Sequence, residues 1–134
     1  MYLNLLNYDD KKLFFALANR LVRIDGKITD SEIELLEAYR TEMNLISTET
    51  MLEIELEDIL DSITEDPIIR KIIIFELVSL AFIDLDISDY ELSYLESIIK
   101  KWNISEDSFY KIQELAKNLI NVSNQISSFI LLNE

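Results

Sequence analysis

Apolar residues recur along this chain at three- and four-residue intervals, separated by short acidic links, and the pattern divides it into helices. Leu13, Ala16, Leu17, Leu21 and Ile24 share one helical face, so a first helix is expected from a cap at Asp9 or Asp10 to about Ile24. Gly26 follows where helices commonly end, because glycine takes the left-handed conformation without steric cost. Thr29-Asp30-Ser31-Glu32 then has the form of a capping box, with Ile28 and Ile33 placed as a hydrophobic staple. A second helix is predicted from near Asp30 to near Met43. A third begins around Ser47 or Thr48 and turns Leu52, Leu56, Ile59, Leu60 and Ile63 inward.

Asp66-Pro67 opens a fourth helix, an acidic N-cap followed by proline at the first helical position. From Ile68 to Ile83 it is apolar on most faces, which marks it as the buried central element. Ser88-Asp89-Tyr90-Glu91 is a second capping box, stapled by Ile87 and Leu92, and the fifth helix runs to about Trp102. A sixth, capped by Ser105, carries Phe109, Ile112, Leu115, Ala116 and Leu119; a seventh, near Val122–Leu132, carries Ile126, Phe129 and Ile130. The expectation is one all-α domain over residues 1–134, a bundle of about seven helices.

Two of these segments are loose copies. Sliding Leu21–Asn44 onto Leu80–Asn103 pairs Ile24 with Ile83, Asp25 with Asp84, Ile28 with Ile87 and Asp30 with Asp89. It also pairs Glu32 with Glu91, Leu36 with Leu95, Glu37 with Glu96 and Asn44 with Asn103. The unit is helix, acidic turn, helix, used twice, and it predicts two pseudo-symmetric helix–turn–helix halves whose acidic turns would share one end of the molecule if the halves pack face to face.

Composition narrows the function classes. A chain of 134 residues can bury roughly two-thirds of its unfolded surface in a single core. One Gly and one Pro leave few dedicated turn residues, which weighs against an all-β fold. The net charge of −14, with no basic stripe in the sequence, weighs against binding nucleic acid through its phosphate backbone and disfavours docking on anionic lipid. Absence of Cys removes disulfides and thiolate chemistry, and absence of His removes the commonest general base and transition-metal ligand. The longest apolar tract, Ile72–Ile83, is interrupted by Glu76 and falls short of the roughly 20 residues a bilayer span needs. Met1–Tyr8 lacks the basic region and cleavage site of a signal peptide, so a soluble cytoplasmic protein is the expectation.

The carboxylates are the one constellation that could carry chemistry. Asp25, Asp30 and Glu32 stand in the first turn; Asp84, Asp86, Asp89 and Glu91 stand in the second. Oxygen-only ligands suit Ca²⁺, Mg²⁺ or Mn²⁺. The competing account is structural: Glu32 and Glu91 complete the capping boxes, and Asp30 and Asp89 favour a helix N-terminus. Asp25 and Asp84 lie at helix C-termini, where a negative charge opposes the dipole, and capping leaves them less well explained. Neither turn is an EF-hand: counted from Asp84 the sixth and twelfth positions are Asp89 and Leu95, where Gly and Glu are required.

Between Thr41 and Ile69 there is no basic residue, while Glu49, Glu53, Glu55, Glu57, Asp58, Asp61, Glu65 and Asp66 crowd the third helix and its flanks. That stretch is either a solvated face or a surface for a basic protein partner. Trp102, Tyr39, Tyr94 and Phe109 fall at core spacing and are expected to pack, with Tyr110 exposed. No nucleophile elbow or Ser-x-x-Lys occurs, and no cleft-forming carboxylate pair is indicated, so no enzymatic mechanism is supported.

Ile24-Asp25-Gly26-Lys27-Ile28-Thr29-Asp30-Ser31-Glu32 resembles the Asp-Gly-x-Ile/Val-x-x-x-Glu signature of the TerB-like family, named for tellurite-resistance proteins and found also at the N-terminus of a DnaJ-like membrane chaperone. The resemblance extends from about Leu13 to Leu119. It implies an all-α bundle with two helix–turn–helix halves and a non-enzymatic cytoplasmic role in stress and metal response. It also implies divalent-cation binding at Asp25 and Glu32, with Asp84 and Glu91 as the second-half equivalents. The chain departs from the pattern at Arg23 and Ile24, where small residues are usual, and at Leu85, which replaces the glycine. A leucine forced into the left-handed region would cost roughly 1–2 kcal/mol, so the second turn is expected to differ in shape.

Overall fold

A computed structural model of the chain describes residues 2–46, 54–84 and 86–132. Among these residues there are six α-helices, one short 3₁₀ turn and no strands: the turn at Leu3–Leu5, α1 (Tyr8–Arg23), α2 (Asp30–Met43), α3 (Leu56–Ser62), α4 (Pro67–Ala81), α5 (Asp89–Lys101) and α6 (Glu106–Leu132). The all-α bundle expected from the periodicity is therefore present, with differences in how it is divided.

The sixth and seventh helices of the sequence reading are one 27-residue helix. No glycine or proline stands between Leu119 and Val122 to break it. At the other end of the chain, Asn7 caps α1 rather than Asp9 or Asp10, its side chain accepting from the Asp10 amide at 2.8 Å. Asp10 is buried instead and ties α1 to the α3–α4 link: its carboxylate accepts from the Thr64 amide at 3.2 Å and the Thr64 hydroxyl at 2.6 Å. The predicted start of the third helix, Ser47 or Thr48, lies outside the described residues; α3 itself begins only at Leu56, after an extended Glu55, and ends at Ser62.

α4 is the central rod, packed against α1, α5 and α6. Ile73, Ile74, Leu77, Val78 and Leu80 are buried along it. Its first turn is not part of the core, since Ile68 is 65% exposed. Asp66 caps it through the Ile68 amide at 2.9 Å, with Pro67 at the first position. α1 contributes Phe14, Leu17 and Leu21, all fully buried, whereas Ile24 lies at the surface beyond the helix end. The aromatic residues expected to pack do so: Tyr39, Tyr94, Trp102 and Phe109 are buried, and Tyr110 is exposed.

Two tyrosine hydroxyls cross between helical pairs. Tyr39 of α2 donates to the Glu76 carbonyl of α4, and Tyr94 of α5 donates to the Leu17 carbonyl of α1, both at 3.1 Å. Trp102 donates from Nε1 to the Leu60 carbonyl at 3.2 Å and is covered by the Arg70 guanidinium, which seats α3 on the bundle. α2 and α5 also finish alike. Asn44 and Asn103 take left-handed φ values of 55° and 54°, and the amides of Leu45 and Ile104 return to the carbonyls of Arg40 and Ile99. Asparagine tolerates that conformation better than other non-glycine residues, which closes both helices without a glycine.

Candidate functional site

The two acidic turns meet. Thr29 caps α2 through its hydroxyl, which accepts from the Glu32 amide at 3.2 Å, while the Glu32 carboxylate accepts from the Thr29 amide at 2.9 Å. The same hydroxyl donates across to Asp84 Oδ2 of the second turn at 2.8 Å. One side chain thus closes a capping box and joins residues 55 apart in sequence. The second box is built as the sequence predicts, with reciprocal bonds of 3.1 Å between Ser88 and Glu91.

Both box glutamates are inside the protein, Glu32 at 6% and Glu91 at 5% exposure. Burial holds the Glu91 carboxyl above the ordinary carboxylate range, the hydrogen bonds from Ser88 oppose that shift, and the negative charges of Asp25 and Glu32 reinforce it. Residues of the two halves therefore share one electrostatic environment. Asp25 is half-buried and its Oδ1 accepts from the Lys27 amide at 2.9 Å, shaping the turn that Gly26 completes at φ 76°. Asp84, Asp30, Asp86 and Asp89 are exposed. Leu85, expected to reshape the second turn, lies outside the described residues.

The four candidate ligands thus stand at one corner, but each box glutamate already accepts backbone hydrogen bonds and Asp84 already accepts from Thr29. Among the described residues no three Asp or Glu side chains group closely enough to hold a metal ion. An all-protein cage for Ca²⁺, with six to eight oxygens, does not fit this arrangement.

The acidic stretch that includes α3 is partly answered by charge: Lys101 at the end of α5 contacts Glu57 at 2.8 Å and Asp61 at 3.1 Å. Glu49 and Glu53 lie outside the described residues. Glu55, Asp58, Glu65 and Asp66 remain on the surface.

Two features escaped the sequence reading. The Asp10–Thr64 staple joins residues 54 apart, and a lone Asp near a helix start looks like a cap. The second is an apolar cleft of about 370 Å³ between α2, α4 and α6, lined by Leu35, Ala38, Tyr39, Glu76, Ile83 and Leu119 among others. Burial raises the pKa of Glu76 there, and nearby Glu42 adds to the shift. Its only foreshadowing was Glu76 itself, an acid inside an otherwise apolar run.

Among the described residues no helix is long and apolar enough to cross a membrane. No family model matches the chain, nor does any curated protein or solved structure.

Proposed function

We propose that this protein is a non-enzymatic, TerB-like helical domain of the stress-response type, whose paired acidic turns take up a hydrated divalent cation. The observation that carries the reading is the Thr29–Asp84 hydrogen bond, which draws both turns to one corner. Supporting it is the pressure of Asp25 and Glu32 on Glu91, since like charges held together are relieved by a cation. Mg²⁺ keeps most of its water and binds through one or two carboxylates, which is what Asp25 and Asp84 offer; Ca²⁺ and Mn²⁺ are the other oxygen-preferring candidates. In this role the ion holds the turns together rather than activating water.

Kinship with the family rests on the Ile24–Glu32 signature, here a capping box following a left-handed Gly26, and on the second box at Ser88–Glu91. The matching left-handed Asn44 and Asn103 favour a pseudo-twofold relation between the halves. In a thermal melt, a cation at 100 times its dissociation constant should stabilise the fold by about 2.7 kcal/mol. The shift should disappear in Asp25→Asn and in Asp84→Asn. No shift with Mg²⁺, Ca²⁺ or Mn²⁺ overturns the cation reading.

A second reading is favoured by the hydrogen bonds that already occupy Glu32, Glu91 and Asp84. On it the corner is structural and the protein is an interaction module, meeting a basic protein partner through its acidic surface without metal. Binding that weakens steeply with salt and ignores chelators would select it.

A further inference from the structure

α6 is docked along only half its length. Phe109, Ala116 and Ile120 are buried against the bundle, whereas every residue from Asn121 to Leu132 is exposed. At 1.5 Å per residue that outer part is a rod of about 18 Å. It is not polar: Val122, Ile126, Phe129, Ile130, Leu131 and Leu132 are each at least half exposed. A helix this short is marginal in water on its own, so a face with this much apolar surface is a face that gets covered.

We infer that the outer half of α6 pairs, antiparallel, with the same segment of a second copy of this chain. Three observations choose that occupant. First, Leu119, Val122, Ile126 and Phe129 alternate at intervals of three and four, the 3.5-residue period of a two-helix seam. Second, Asn118–Asn133 is the longest stretch of the chain without a charged residue, in a protein of net charge −14. A basic partner would be met by carboxylates; a charge-free strip is what two copies of one acidic protein can press together without repulsion. Third, the strip has a suitable landing place. An antiparallel register centred at Asn124 sets Val122 of one copy across from Ile126 of the other, and Leu119 across from Phe129. Each Phe129 then arrives beside the other copy's apolar cleft, where Leu119 stands with Leu35 and Ile83. The contact is the same from both sides, so it closes as a twofold dimer. Antiparallel arms also keep the two acidic bundles at opposite ends of the seam.

Sedimentation equilibrium of the full chain tests this. A monomer–dimer equilibrium is expected that tightens as salt screens the bundles, the reverse of binding to a basic partner. Ile126→Asp with Phe129→Asp should weaken the dimer by at least about 100-fold. Both side chains face solvent in the monomer, so the near-ultraviolet signal of buried Trp102 should be unchanged. The chain has no cysteine, so engineered thiols report register. Val122→Cys combined with Ile126→Cys should cross-link two copies on oxidation, and Ile126→Cys alone should not. The inference is overturned if the parent chain is monomeric up to about 200 µM, if the dimer survives both aspartates, or if Ile126→Cys alone cross-links, which would mean parallel arms. It is equally overturned if neutral phosphatidylcholine vesicles bind the arm and no dimer forms.

Discussion

Thr29→Ala is the most informative single change, because one hydroxyl serves two contacts. Losing the N-cap of α2 costs about 1 kcal/mol. The bond to Asp84 is charge-assisted, but Thr29 and Asp84 are both solvent-exposed, so its contribution is set near that of an exposed ion pair, about 0.5 kcal/mol. The expected loss is about 1.5 kcal/mol, or a fall in Tm of roughly 5 °C for a chain of this size. Ser88→Ala removes a cap of the same geometry with no bridge attached, and should cost only about 1 kcal/mol. Urea unfolding of Thr29→Ala, Asp84→Ala and the double variant forms a cycle whose coupling energy is the bridge alone, about 0.5 kcal/mol. Thr29→Ser keeps a hydroxyl and should restore nearly all of the loss. Additive losses in the cycle, together with equal losses in Thr29→Ala and Ser88→Ala, would refute a joined corner and remove the ground for the cation reading.

Two further outcomes follow from burial. Leu77→Ala, at a fully buried position of α4, should cost about 3 kcal/mol in urea unfolding, while Ile68→Ala at the exposed first turn should stay within about 0.5 kcal/mol. Similar losses at both positions would contradict α4 as a rod buried from Ile73 onward. Glu91→Gln bears on pH: folding raises the Glu91 pKa, so the native state holds that proton more tightly than the unfolded chain does. The stability it contributes is present below the ordinary glutamate range and declines as pH rises through the raised value. The glutamine variant keeps an acceptor for the Ser88 amide and loses that decline, so its stability relative to the parent should improve as pH rises above the ordinary glutamate range. A difference between variant and parent that does not change with pH would refute the assignment.

What could be read from the sequence was whatever short-range chemistry decides. The helix α2 runs from Asp30 to Met43 as expected because a capping box opens it and Asn44 closes it, both within a few residues. Proline and aspartate announce α4 for the same reason. The division of α6 into two helices fails because no glycine or proline interrupts it. The candidate site was legible as a set of carboxylates, Asp25, Glu32, Asp84 and Glu91, but not as a place. The Thr29–Asp84 bond, like the Asp10–Thr64 staple, joins segments more than 50 residues apart, and only the packing of α1, α4 and α5 brings them within reach. A single-residue cue cannot encode that distance.

The crossed tyrosines have an effect on dissection. Each hydroxyl anchors a helix of one half to the backbone of a helix in the other, so cutting the chain between α3 and α4 would strand Leu17's carbonyl on one fragment and Tyr94 on the other. Each fragment would be left with one buried tyrosine hydroxyl and one buried carbonyl without their partners, and both would lose the apolar contact between α1 and α4. The two helix–turn–helix segments are consequently not spare parts: mixed in solution they should reassemble, while alone each should remain largely unfolded.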